Sequence, residues 1–74
     1  MRGVIKNIIE EKGFGFIKVL DGTEYFFHKS DFLGFWDNLV TDRNSGQIEV
    51  EFDVVTSQKG PRAANVKRLN EITG

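Results

Sequence analysis

From Ile48 to Val54 the chain alternates without a break, with Ile48, Val50, Phe52 and Val54 on one side and Glu49, Glu51 and Asp53 on the other. A period of two is that of a β-strand with one dry and one wet face. It is the clearest element in the sequence. Further strands are expected over roughly 2–9, 14–20 and 23–28, and a fifth over Ala63–Leu69. Asp21-Gly22 reads as a tight hairpin turn and Lys59-Gly60-Pro61 as a loop. Five short strands joined mostly by short turns predict an all-β chain folded as a small closed or partly closed barrel, because closure removes exposed strand edges. Parallel crossovers have no room in such a chain. Ser30–Trp36 suggests a helical turn capped by Ser30, with Phe32 and Leu33 plugging one end of the barrel. Gly34–Gly46 mixes Phe35 and Trp36 with the polar run Thr41-Asp42-Arg43-Asn44-Ser45 and reads as a mobile loop.

The chain has 74 residues, enough for one small domain over 1–70 with a short tail over 71–74. A domain of this size buries only about 60% of its unfolded surface, so a thin core is expected. With no cysteine there is no disulfide or thiolate chemistry, and a single histidine cannot make a metal cage, so no metal or other cofactor is expected. No apolar run approaches the roughly 20 residues of a membrane span, and Met1-Arg2-Gly3-Val4 leads into an alternating segment without a secretory signature. A cytoplasmic protein that does not engage membranes is the expectation. The net charge of -1 conceals a gradient: residues 1–30 carry +1, 31–53 carry -5 and 54–74 carry +3. Between Ser57 and Asn70 lie Lys59, Arg62, Lys67 and Arg68 with no acid, so a basic patch can sit on an acidic protein, although four bases also suit a plain solvated edge.

The second strand, Lys12-Gly13-Phe14-Gly15-Phe16-Ile17-Lys18, places Phe14, Phe16 and Lys18 on one face and Gly15, Ile17 and Val19 on the other. If Ile17 and Val19 face the core, two phenylalanines face water. The third strand repeats the oddity, with Tyr25 and Phe27 on one side and Phe26 and His28 on the other. Seven phenylalanines would by themselves suffice to fill a small barrel, but the Phe-Gly-Phe spacing leaves both faces of one strand apolar. An outward cluster of Phe14, Phe16, Phe26 and His28 is therefore expected, and exposed apolar area of this kind marks a binding surface. Lys6, Lys12, Lys18, Lys29 and Lys59 rim it. Flat rings beside bases suit a single nucleic acid strand: the bases stack at about 1–3 kcal/mol each, while the lysines and Arg62 hold phosphates. A duplex keeps its bases turned inward and fits less well. Stacking predicts broad base preference with some pyrimidine bias.

Lys12-Gly13-Phe14-Gly15-Phe16-Ile17 and Tyr25-Phe26-Phe27-His28-Lys29-Ser30 resemble the two ribonucleoprotein motifs of the cold-shock domain family. Lys59-Gly60-Pro61-Arg62-Ala63-Ala64-Asn65-Val66 resembles that family's closing strand, and the order and spacing agree from Gly3 to Val66. The resemblance implies a five-stranded antiparallel barrel of the oligonucleotide-binding (OB-fold) type, found in the cytoplasm of bacteria, that binds single-stranded RNA and DNA with low sequence specificity. It also implies roles in melting RNA structure, as an RNA chaperone, and in regulating transcription or translation. The family's first strand usually carries tryptophan and phenylalanine where this chain has Asn7 and Ile8, and its second motif usually carries phenylalanine at Lys29. Two or three stacking rings are thus absent from the usual pattern. Phe35 or Trp36 matches the aromatic that the family carries after the third strand, in a loop that is a few residues longer here.

His28 is expected to stack on or hydrogen-bond a base. Trp36 suits either the ligand surface or packing under its loop. Glu49, Glu51 and Asp53 have neither a pocket nor a histidine partner, so they read as a wet back face that repels phosphate, and no catalytic set is found anywhere in the chain. The competing reading is a protein-interaction barrel or homodimer built on the aromatic patch. A monomer is expected, with strand exchange as the route to a dimer.

Overall fold

The computed structural model describes residues 1–42 and 47–69. The expected tail over 71–74 and the residues of the polar run at 43–46 lie outside the described residues. Five strands are present: β1 (Arg2–Ile9), β2 (Phe14–Lys18), β3 (Glu24–His28), β4 (Glu49–Ser57) and β5 (Gly60–Arg68). They close into a barrel in the order β1-β2-β3-β5-β4. Neighbours run antiparallel except at one seam, where β3 meets β5 in parallel through Phe26 opposite Arg62. Sequence reasoning left no room for a parallel pair. The connection from β3 through the helical segments and β4 is long enough to bring β5 back in the same direction.

Two irregularities set which side chains face inward. In β1, Ile5 pairs with Ile17 and Asn7 with Phe16, so Lys6 is an extra residue on that strand. A one-residue bulge reverses the alternation that follows it. Half-buried Ile5 and buried Ile8 consequently both point inward although they are three residues apart. In β5, between the Glu51–Lys67 and Asp53–Ala64 pairs, the strand carries one more residue than β4. Asn65 lies in this stretch at φ 51, and Ala63 and Val66 are both buried across it. The Asn65 amide donates to Asp53 Oδ2 at 3.1 Å.

Ile8, Ile17, Phe27, Phe32, Leu39, Ile48, Val50, Phe52, Ala63 and Val66 form the core. The inward row of β4 ends at Phe52: Val54 was expected to follow it, but the strand runs on toward its hairpin and leaves that side chain 40% exposed. Leu33, expected with Phe32 as a plug, is 60% exposed, and Phe32 closes the core by bridging to Val66. Gly15 faces inward above the Phe27 ring, where an added Cβ would come within 2.9 Å of Phe27 Cε1 and 2.8 Å of the Asn7 carbonyl. The small residue between Phe14 and Phe16 thus makes room for the core ring beneath. At the β2–β3 turn the Thr23 amide donates to Asp21 Oδ1 at 2.9 Å, and this bond holds the Asp21 carboxyl below its ordinary value.

The stretch read as a mobile loop contains a helix, α1 (Trp36–Asp42). Trp36, Leu39 and Val40, spaced i, i+3 and i+4, turn one face to the barrel end. The helical turn expected over Ser30–Trp36 is instead a 3-10 turn at Lys29–Asp31, capped by His28 and not by Ser30. At the C-terminal end of α1, Asp42 Oδ2 accepts from Arg68 Nη1 at 2.8 Å, with the Arg68 side chain only 8% exposed.

Candidate nucleic-acid interface

The register of the strands assembles one outward row across four of them. Asn7 on β1 is opposite Phe16 on β2, Phe16 is opposite Phe26 on β3, and Phe26 is opposite Arg62 on β5. A second row runs Ile9, Phe14, His28, and a third Val4, Lys18, Glu24. Phe14, Phe16 and Phe26 bridge the first two rows as a triangle. Their ring centroids are 5.9 Å apart for Phe14–Phe16, 5.2 Å for Phe14–Phe26 and 6.0 Å for Phe16–Phe26. The interplanar angles of 88°, 46° and 69° show tilted and edge-on packing, the arrangement that ring quadrupoles favour. The rings face outward, as the alternation predicted, yet shield one another: Phe14 and Phe16 are half-buried, and Phe26 is 36% exposed.

His28 is fixed from two sides. Its Nδ1 accepts from the Ser30 amide at 3.2 Å and lies 3.0 Å from Ser30 Oγ, while its own amide donates to Asp31 Oδ2 at 3.0 Å. Accepting the amide requires a lone pair on Nδ1, so the ring presents an Nε2–H donor. The same Asp31 oxygen lies 3.6 Å from Arg62 Nη1, so one carboxylate positions both the histidine cap and the arginine.

The remaining candidates divide into those near the rings and those that are not. Lys29 donates its amide to the Gly13 carbonyl at 2.8 Å and lays its stem along Gly13, beside the second row. Gly13, at φ 70, ends the 3-10 turn Glu10–Lys12 that carries exposed Lys12. Lys18 is exposed at the end of β2. Lys6 occupies the β1 bulge, where Glu24 Oε2 accepts from its Nζ at 3.1 Å and neutralises it in part. Lys59 is exposed at the β4–β5 turn. Of the two aromatics after β3, Phe35 is 80% exposed, whereas Trp36 turns inward, its ring 6.0 Å from Phe27 in an edge contact. Trp36 therefore packs on the core and lies outside the ring cluster.

In the first two rows Asn7, Ile9 and Val55, the last opposite Arg62, were not among the sequence candidates. The odd spacing of Ile5 and Ile8 is the signal that would have revealed Asn7 as outward. It also corrects the ring tally, because Ile8 is 6% exposed and points inward, so its replacement removes no ring from the outer face. Asn7 and Lys29 are the exposed positions at which the family's usual pattern carries a ring. On β4, Glu51 pairs with Arg2 at 3.4 Å and Asp53 with Asn65, which leaves this strand a hydrogen-bonded acidic surface. Among the described residues no group of three or more His, Asp or Glu side chains suits a metal ion, and no helix is long and apolar enough to cross a membrane.

A five-stranded barrel of OB type with outward rings on β2 and β3 defines a class of small oligonucleotide-binding-like domains. The profile described as the 'Cold-shock' DNA-binding domain matches residues 1–69. The chain is 42% identical over 69 residues to the cold shock-like protein CspC of Bacillus cereus, covering 93% of this chain and 100% of the relative. It is 40% identical over 68 residues to the cold shock protein CspB of Geobacillus stearothermophilus, covering 92% and 97%. The major cold shock protein of Streptococcus pyogenes is 38% identical over 68 residues, covering 92% and 96%. The chain belongs to the cold-shock domain family, which is known for binding nucleic acid.

Proposed function

We propose that this protein is a non-catalytic module that binds single-stranded RNA or DNA in the cytoplasm. Bases stack on Phe14, Phe16, Phe26 and His28, and Lys12, Lys18, Lys29 and Lys59 hold the backbone. The single observation that carries this reading is the triangle of outward rings on adjacent strands. Water-facing phenylalanines cost solubility unless a ligand covers them, and a nucleobase is the flat partner that lysines can also retain through its phosphates. Loss of a ring at the position of Asn7 lowers the number of bases held, and Lys29 shifts the balance toward charge. Weak sequence demands of this kind suit an RNA chaperone or a regulator of transcription or translation, acting as a monomer.

The test is anisotropy of a labelled oligothymidine. Phe16→Ala is expected to weaken binding by roughly 5- to 150-fold, the equivalent of about 1–3 kcal/mol for one stack. Unchanged affinity would remove the stacking reading. Binding that holds or strengthens as salt rises would favour an apolar protein partner on the same rings.

A further inference from the structure

In the first row, Asn7 and Arg62 flank the central pair Phe16 and Phe26 on either side. With strands about 4.8 Å apart, the row spans roughly 14 Å, the scale of one base flanked by a side chain on each edge. Asn7 is exposed, and among the described residues its side-chain amide has no hydrogen-bond partner. The Arg62 side chain is 41% exposed, anchored at Nη1 by the largely buried Asp31 carboxylate and open at its other donors. A ring platform tolerates any base because every base has a π-face. This platform carries a polar group on each side of the rings, and they are not equivalent: one offers donors only, the other a donor and an acceptor.

We propose that a base held over Phe16 and Phe26, its face on one ring and its edge toward the other, is read by these two residues and that the row selects guanine. This deepens the single-strand reading above and rests on it. A guanidinium fork matches two adjacent acceptors, which guanine presents as O6 and N7. Thymine and uracil present no adjacent acceptor pair. Adenine places its N6 amino donor beside N7, so one arm of the fork meets a donor. Cytosine has adjacent acceptors in O2 and N3, but its far edge carries only C–H groups and leaves Asn7 unmatched. Guanine, with its N2 amino group across the ring system from N7, supplies a donor to the Asn7 carbonyl as well. Asp31 strengthens the selection by holding the fork in place before the base arrives. The broad, pyrimidine-leaning behaviour expected from stacking alone is thereby replaced at one position.

The test compares oligothymidine with the same oligonucleotide carrying one central dG, measured by anisotropy at one salt concentration. The wild-type protein is expected to bind the dG oligonucleotide roughly tenfold more tightly. Replacing dG by 7-deaza-dG, which lacks the N7 acceptor, is expected to lose most of that preference. Arg62→Gln is expected to bring the ratio near one. Arg62→Lys keeps the charge and an ammonium that can still donate to O6 and N7 but lacks the planar fork, so it is expected to keep only part of the preference. Equal wild-type binding of both oligonucleotides, or a preference that survives in Arg62→Gln, overturns guanine reading by Arg62 while oligothymidine binding keeps the stacking reading intact. Failure to bind either oligonucleotide overturns both.

Discussion

Gly15 lies so close above Phe27 that a Cβ there would sit 2.9 Å from the ring's Cε1 and 3.0 Å from its Cζ. The glycine belongs to the apparent ligand motif, yet its constraint comes from the core beneath. Gly15→Ala is therefore expected to act first on stability. Phe27 is fully buried and cannot retreat, and overpacking of this kind costs about 1–3 kcal/mol. In a domain of this size that lowers the melting temperature by roughly 4–8 °C per kcal/mol. Thermal unfolding followed by circular dichroism checks it, and an unchanged midpoint would show that the ring moves aside freely.

Asn7→Trp is expected to strengthen binding to oligothymidine. The position faces outward opposite Phe16, and its amide has no partner to lose. One added ring in the row corresponds to about 1–3 kcal/mol for a further stacked base. The same substitution is expected to reduce the guanine preference, since it removes the group proposed to meet N2. Anisotropy with the two oligonucleotides reads both effects.

Asp42→Ala is expected to cost about 2–3 kcal/mol, below the usual range for breaking a buried pair because the Asp42 side chain keeps 27% of its exposure. Arg68 is left behind with its charge enclosed and its Nε already without a partner. Arg68→Met removes the charge while filling much of the volume, and is expected to cost less. A carboxylate at the last residue of α1 opposes the helix dipole, so losing it favours the helix slightly. Net destabilisation of Asp42→Ala in urea titrations therefore reports the ion pair. Equal losses for the two variants would show that packing, and not the enclosed charge, sets the cost.

Lys59→Gln and Lys6→Gln are expected to differ in their effect on salt dependence. Lys59 is exposed at a turn, whereas Lys6 is held by Glu24 at 3.1 Å. A lysine that neutralises one phosphate contributes about 0.7 to the slope of log affinity against log salt for a single strand. Lys59→Gln should lower the slope by that amount and Lys6→Gln by less. Titrations at a series of salt concentrations measure it, and identical slopes in both variants and wild type would exclude phosphate contacts at these lysines.

The barrel was legible in the sequence because period-two alternation survives in β2, β3 and β4 up to Phe52, and because glycines mark the turns. The outward rings were legible for the same reason: Gly15 and Ile17 fix the inner face, and Phe14 and Phe16 follow by parity. Bulges were not, since one extra residue at Lys6 or near Asn65 changes parity without changing composition. That is why Asn7 was seen as a missing ring and not as an outward polar group, and why Ile8 was misplaced. The helix at Trp36–Asp42 was missed because a seven-residue segment presents barely two turns of spacing, and its apolar face is defined by the barrel end it covers. Trp36 against Phe27 is a tertiary contact that no local pattern encodes.

The parallel seam is narrow: among the described residues one paired position, Phe26 with Arg62, joins β3 to β5. That position also belongs to the row proposed to hold a base. A strand laid over it would fasten the two sides of the wall together from outside, like a clasp over a join. Occupancy then raises the stability of the closed form by mass action, so parting the seam costs more free energy with a strand bound than without one.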